Sequence, residues 1–467
     1  MNISNSSSSE SSVSVDPLTG KKTWLVGTLT YTSGGLVILF LLLLLGDFGW
    51  MMRERSVVPM SQLLLNKFHP SGLITSLLFG SIPACLTIII WPAVSVWSDR
   101  TRSRRGRRVP FLFWPTPVVT GAMVGLAYSP QIGDWLKELF HGTGQVNLWV
   151  IGVFAFFWVL FEVFALITNN IFIALVNDTV PRQVINRFFA MFRMVSLGAG
   201  VYFNYSLISK ADTHFTVLFL SIAAVYFIAF LVMCGFVKEG AYPPPPQVAH
   251  SGGMFSKIRM YVCECGQQPF YRTVFVTMAL AGLTFMPVNI FSLFAAKSYG
   301  IDTGAYGNSL ALTYVIGFVI AFPIGWLTDR FHPMRTGLAA LAIYGLLMTA
   351  AYWIVRGPET FLVMFILHGV AAGVYNTTVS GLLPMLFPRE QFSQFFSATN
   401  ILVNILNMIA SPLLGQIMDL TDNNYRLTFL LAGLIAFAGC ACWLLLNRGF
   451  IRQGGVKSYQ PPEVEGF

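Results

Sequence analysis

Apolar runs about 20 residues long, each closed by glycine, proline or charge, recur along the whole of this 467-residue chain. Segmenting on that punctuation predicts twelve spans, I to XII: 33–58, 73–97, 110–128, 147–176, 188–209, 214–236, 273–296, 305–327, 337–355, 361–384, 394–418 and 427–447. A helix satisfies its own backbone inside a bilayer. The pattern therefore predicts an all-α membrane protein with twelve transmembrane helices. Residues 1–20 are Ser-rich and polar without an apolar centre, so no cleavable signal peptide is read there and span I is itself the insertion signal. Residues 1–24 are expected to be a disordered tail.

Charge then sets the orientation. Between spans II and III, Ser98 to Pro110 packs six arginines and Asp99 into a chain that is only 10% charged. A short, strongly basic turn between two spans is predicted to be cytoplasmic. Twelve spans put both ends on one side, and with the N-terminus inside, twenty of the 29 Lys and Arg fall on the cytoplasmic face. Both termini are thus expected inside, and the net charge of +9 is topological. The basic residues flank spans and line no single groove, which leaves a nucleic-acid partner without support. Cys263 and Cys265 lie in a predicted cytoplasmic loop with too few neighbouring ligands for a metal site, and thiols there stay reduced.

The longest cytoplasmic connection, 237–272, carries Pro243 to Pro246 in a row, then Gly252 and Gly253, and reads as a semi-rigid linker. Internal similarity supports a division there. Trp97-Ser98-Asp99-Arg100 after span II is matched by Trp326-Leu327-Thr328-Asp329-Arg330 after span VIII. Pro181-Arg182 with Arg187-Phe188-Phe189-Ala190 after span IV is matched by Pro388-Arg389 with Gln394-Phe395-Phe396-Ser397 after span X. Two repeats at equivalent places predict two six-helix bundles, 25–236 and 273–447, followed by a cytoplasmic tail, 448–467.

Asp99-Arg100, with Arg104, Gly106 and Arg107 behind it, resembles the cytoplasmic signature of the major facilitator superfamily. Its Thr101-to-Gly106 core, with Pro92 nine residues before Thr101, is similar to the glycoside–pentoside–hexuronide symporters of the melibiose type. The Gly106-Arg107-Arg108-x-Pro110-Phe111 end is similar to sucrose–proton symporters. The resemblance implies a major facilitator fold and sugar transport. It also implies a gating role for Asp99, Arg100, Arg104, Gly106 and Arg107, with Asp329 and Arg330 their counterparts.

Ionisable groups inside spans mark pathways by default. Span I holds Asp47, with Arg53, Glu54 and Arg55 read as an ion cluster at its outer end. Span IV holds Glu162, then Asn169 and Asn170; span V holds Arg193. Counting from the inner ends at 1.5 Å per residue puts Asp47 and Glu162 both about 20 Å deep, at one level. Carboxylates, a guanidinium and amides are the groups that bind sugar hydroxyls, and Trp91 and Trp158 offer faces for stacking. The melibiose-type resemblance implies that Asp47, in Gly46-Asp47-Phe48, and Arg193 contact sugar, and that Asn169 occupies a family aspartate's place. It departs in span II, where Thr87 and Trp91 stand at the positions of sodium-binding carboxylates. The coupling ion is therefore expected to be a proton, carried by Glu162 or Asp47, with uniport as the alternative. In the second half Asn400, Asn404 and Asn407 at i, i+4, i+7, with Tyr375, Asn376, Thr377 and Asn289, form the expected opposing wall. His368 alone on an apolar span reads as a packing residue.

These readings predict a monomeric plasma- or inner-membrane symporter of a sugar, glycoside or oligosaccharide, working by alternating access. It is expected to need no cofactor or metal beyond its coupling proton, and to have lipid and a small-molecule sugar as partners. An exporter of amphipathic, drug-like compounds and a non-transporting sensor on the same fold are the alternatives. No nucleophile–base pair or phosphate loop is present, so an enzyme is not expected.

Overall fold

The computed structural model describes residues 13–15, 22–140, 146–241, 267–388 and 391–462. Most of the predicted linker, with Cys263 and Cys265, lies outside them. Spans I to IV are helices α1 (Ser33–Asn66), α2 (Gly72–Arg100), α3 (Val109–Ala127) and α5 (Val146–Thr179). A short helix α4 (Ser129–Leu139) precedes α5. Spans V and VI are α6 (Ile185–Tyr202) and α7 (Phe215–Phe236). Span VII is broken into α8 (Pro269–Leu283) and α9 (Met286–Ser298). Spans VIII and IX are α10 (Thr303–Phe331) and α11 (Pro333–Ile354). Span X is α12 (Pro358–Val379) with a short α13 (Leu382–Leu386), and XI and XII are α14 (Phe392–Leu420) and α15 (Arg426–Arg452). A last turn, α16, covers Gly455–Ser458.

Eleven helical stretches among the described residues are long and apolar enough to cross a membrane. The exception is α6, which carries Arg187 and Arg193 and is prolonged by a π turn (Phe203–Leu207) and a 3-10 turn (Ile208–Ala211). This is an integral membrane protein with the all-α fold that the pattern predicts.

Two expectations need correction. Residues 1–24 are not all a disordered tail: β1 (Val13–Val15), β2 (Lys22–Val26) and β3 (Leu29–Thr32) form an antiparallel sheet of order β1-β2-β3, with Trp24 opposite Tyr31. Thr28 accepts from the Ala241 amide at 2.7 Å, tying the β2–β3 turn to the segment after α7. The second correction concerns α1, which runs eight residues past the predicted end at 58. Arg53, Glu54 and Arg55 therefore sit near its middle and not at its outer end.

The chain forms two compact units, whose borders cut across the predicted halves. Unit 1 comprises Met1–Val58, Ile90–Phe203 and His214–Ala249; unit 2 comprises Pro59–Ile89, Asn204–Thr213 and His250–Phe467.

Within unit 2, α2 lies on α14 along small residues. Added side-chain carbon on Gly72 would meet the Gly415 carbonyl at 2.7 Å, and on Gly80 would collide with the Ser411 side chain. That closeness lets Ser411 donate to the Ser76 carbonyl at 2.6 Å and Ser81 to the Met408 carbonyl at 2.9 Å. Between them α2 makes one π turn, Leu77–Ser81, of the kind that accommodates an extra residue. Asp419 accepts from the first amides of α2, Gly72 at 2.5 Å and Leu73 at 2.9 Å, donors that a helix start leaves orphaned. Ile290, Phe291 and Phe294 of α9 with Leu414 and Met418 of α14 form the apolar core beside this seam.

Candidate functional site

In unit 1 the arginine loop is built around two carboxylates that sequence reasoning missed. Asp178, at the end of α5, takes a two-pronged contact from Arg107 (Nε 3.2 Å, Nη2 2.9 Å) and a third bond from Arg108 Nε at 3.0 Å. Asp99 pairs with Arg108 at 2.7 Å and lies 3.8 Å from Arg107. Paired planar donors on carboxylates are the stronger form of ion pair. Glu239, just after α7, accepts from the backbone amides of Arg107, Arg108 and Val109 at 3.0, 2.9 and 2.6 Å. It thereby caps α3. Gly106, at φ 107°, leaves room for it, since a side chain there would strike the Glu239 carboxylate. Of the predicted gating residues, Asp99, Gly106 and Arg107 enter this cluster. Arg100 and Arg104 are exposed and form no ion pair among the described residues.

The counterpart loop in unit 2 does not repeat it. Asp329 and Arg330 are exposed, and Arg330 lies over the rings of Trp326 (5.4 Å) and Phe331 (5.7 Å). Next to it, His332 at φ 77° caps α11 by accepting from the Met334 amide at 3.3 Å. Burial and the neighbouring Arg335 charge hold its pKa below the usual histidine value.

Further along α1, Asp47 and Arg53 are both fully buried. Arg53 Nη2 donates to Asn169 Oδ1 at 2.6 Å and to Glu54 at 3.1 Å, while its guanidinium lies 5.6 and 5.4 Å from the ring centres of Phe161 and Tyr226. Its Nε and Nη1 find no hydrogen-bond partner among the described residues, nor does either oxygen of Asp47 or the indole nitrogen of Trp50. Glu162 is half-buried and lies within electrostatic reach of Glu54 and Arg53. Asn169 is thus occupied by an arginine that the hydropathy reading had assigned to the end of the span.

That bond also changes the expected depths. Asp47 lies about 9 Å along α1 from Arg53 toward the arginine loop, and Glu162 about 10 Å along α5 from Asn169 in the opposite direction. The two carboxyl groups are at different levels. Arg53, not Asp47, meets the polar face of α5.

The other candidates divide by exposure. Arg193 is exposed and forms no ion pair among the described residues, and Trp91 is 40% exposed. Asn170 donates to the Trp91 carbonyl at 3.1 Å, holding α5 to α2 there. Asn400 and Asn404 turn their amides onto the carbonyls of Phe396 and Asn400 in their own helix, at 2.9 and 2.8 Å. Tyr375 is buried, its ring packed against Phe285 and Trp443. A tyrosine at this place is part of the core and offers no face to a ligand. No cluster of three metal-ligating side chains occurs among the described residues.

The helix order and the twelve-span arrangement are those of the major facilitator fold. Residues 273–457 match the family model of the Major Facilitator Superfamily. A "Quinolone resistance transporter" of Acinetobacter baumannii is 27% identical over 121 residues, 26% of this chain and 28% of that protein. The "MFS transporter asaE" of Aspergillus flavus is 20% identical over 223 residues, 47% of this chain and 48% of that protein. The chain therefore matches less than half the length of either relative. Among solved structures, a bacterial homologue of the iron transporter ferroportin in an inward-facing state superposes with a TM-score of 0.65 at 14% identity, covering 88% of this chain and 99% of that one. The similarities reach the superfamily and stop short of the melibiose and sucrose branches.

Proposed function

We propose that this protein is a proton-coupled secondary transporter of a sugar, glycoside or oligosaccharide, working by alternating access with both termini in the cytoplasm. The observation that carries the proposal is Asp47, a fully buried carboxyl group with no hydrogen-bond partner among the described residues, on the first helix of a major facilitator fold. A buried carboxylate charge without a partner is costly, and gaining or losing a proton is the chemistry by which such a group changes that cost. Glu162, beside Glu54 and Arg53, is the second candidate carrier. Exposed Trp91 and Arg193 with the amide of Asn170 supply the stacking face and donors that suit a sugar.

Purified protein in liposomes tests this with labelled mono- and disaccharides under an inward proton gradient. Uptake is expected for one sugar class, and Asp47→Asn is expected to lower gradient-driven uptake more than about tenfold, in the range seen for lost proton-transfer groups. Full activity in the Asn variant would remove Asp47 from the coupling. Absence of uptake for every sugar would remove the substrate class.

A second reading, export of amphipathic compounds, is favoured by the similarity to the quinolone resistance protein. It predicts that cells expressing the chain accumulate less of a fluorescent quinolone, and that a wild-type protein which takes up no sugar restores quinolone resistance.

A further inference from the structure

Three polar side chains in unit 2 form a hydrogen-bonded chain that the proton-coupling reading leaves unused. Tyr344 is near the middle of α11 and His368 near the middle of α12, both buried. Tyr344 Oη lies 2.8 Å from His368 Nδ1, and His368 Nε2 lies 3.1 Å from Asn289 Oδ1. Asn289 sits in the first turn of α9, just past the break in span VII at Thr284 and Phe285. It is exposed while its neighbours Val288 and Ile290 are buried. An exposed amide within a span belongs on a water-lined or ligand-lined surface, because hydrocarbon leaves it unsatisfied.

The direction of the chain follows from donor and acceptor types. The Asn289 carbonyl oxygen only accepts, so His368 Nε2 carries the hydrogen. A neutral imidazole has one N–H, so Nδ1 is bare and Tyr344 donates to it. The polarity runs from Tyr344 through His368 to Asn289. With its oxygen held from behind, Asn289 is left presenting its two N–H donors at the exposed surface.

The geometry points to Asn289 as a substrate-recognition residue that selects hydrogen-bond acceptors, with His368 and Tyr344 as the positioning residues that fix its orientation. On the sugar reading, on which this assignment of substrate rests, the acceptor is a hydroxyl or ring oxygen. Positioning explains why a histidine is kept at the centre of an apolar helix where a leucine packs more simply.

Two measurements separate this inference from the sugar reading. Nitrogen-15 spectra of histidine-labelled protein, with the His368 signal assigned by its loss in His368→Gln, are expected to show the Nε2-protonated tautomer. The Nδ1-protonated form overturns the inference whatever the substrate. In proteoliposomes with labelled melibiose and sucrose as probes, Asn289→Ala and His368→Leu are expected to raise KM about tenfold with kcat little changed, the loss of one oriented hydrogen bond. His368→Gln keeps an acceptor facing Tyr344 and a donor facing Asn289, so its KM should stay within about threefold of wild type. A His368→Leu protein that folds, as judged by its thermal midpoint, and keeps the wild-type KM overturns the positioning role. If wild type moves neither probe, the tautomer alone decides the orientation of Asn289.

Discussion

The two units differ in which buried polar atoms they leave without a partner. Among the described residues, unit 1 leaves charged atoms unsatisfied, both oxygens of Asp47 and two nitrogens of Arg53, beside the neutral Tyr31 hydroxyl and Trp50 indole. In unit 2, Asp419 accepts from two helix-start amides, and Asp212 pairs with Lys297 at 3.2 Å and with Thr303. The groups left over there are hydroxyls and amides, such as Ser61 and Asn407. Burying an unpaired charge costs several times more than burying an unpaired amide. On the proposed function, the unpaired charge in unit 1 is the one that proton transfer would use.

That contrast is open to direct attack. The largest effect outside the transport assay is expected from Arg53→Met, which fills similar volume but strips Asn169 and Glu54 of their donor. It should lower stability by about 2 kcal/mol, within the range for hydrogen bonds to charged groups, read as a drop in thermal midpoint. An Arg53→Met protein as stable as wild type would show that the unit 1 network contributes no net stability. Asp419→Ala removes an end cap and should cost about 1 kcal/mol, while leaving any proton dependence of uptake unchanged. A change in proton dependence would place chemistry in unit 2 and erase the contrast.

The smallest effect concerns His332. Its folded pKa is depressed, so as pH falls the unfolded chain takes up the proton first. The cap's contribution is present above about pH 6.5, the unfolded value, and is lost as pH falls through the lower folded pKa. His332→Asn tolerates the positive φ and keeps an acceptor for the Met334 amide, so its thermal midpoint should decline less between pH 7.5 and 5 than that of wild type.

Hydropathy alone located the spans because a bilayer demands long apolar helices, and most observed ends fall within a few residues of the expected ones. It failed at α1 for a physical reason. Arg53-Glu54-Arg55 reads as the edge of a membrane, yet Arg53 is paired with Asn169 and covered by Phe161 and Tyr226, so the helix continues. Only a partner 116 positions away reveals that, and spacing within one helix carries no such signal. The same holds for Glu239 and Asp178, which reach the arginine loop from the ends of other helices. Their proximity to span ends rich in opposite charge was the one clue available. Tyr375 was misjudged because aromatic residues at helical spacing look alike whether they face a ligand or a core.

The π turn of α2 has a consequence for comparing this chain with relatives. A wide turn holds one residue more than the α-helix around it, so it acts as a frame shift written into the helix. Position-by-position correspondences drawn backward from the arginine loop stay in phase as far as Ile82. Beyond it, against any relative whose second helix is regular throughout, each residue is matched to a neighbour about 100° around the helix. Family assignments carried to Gly72 or Ser76 therefore require a one-residue gap inside the span, where alignments ordinarily forbid one.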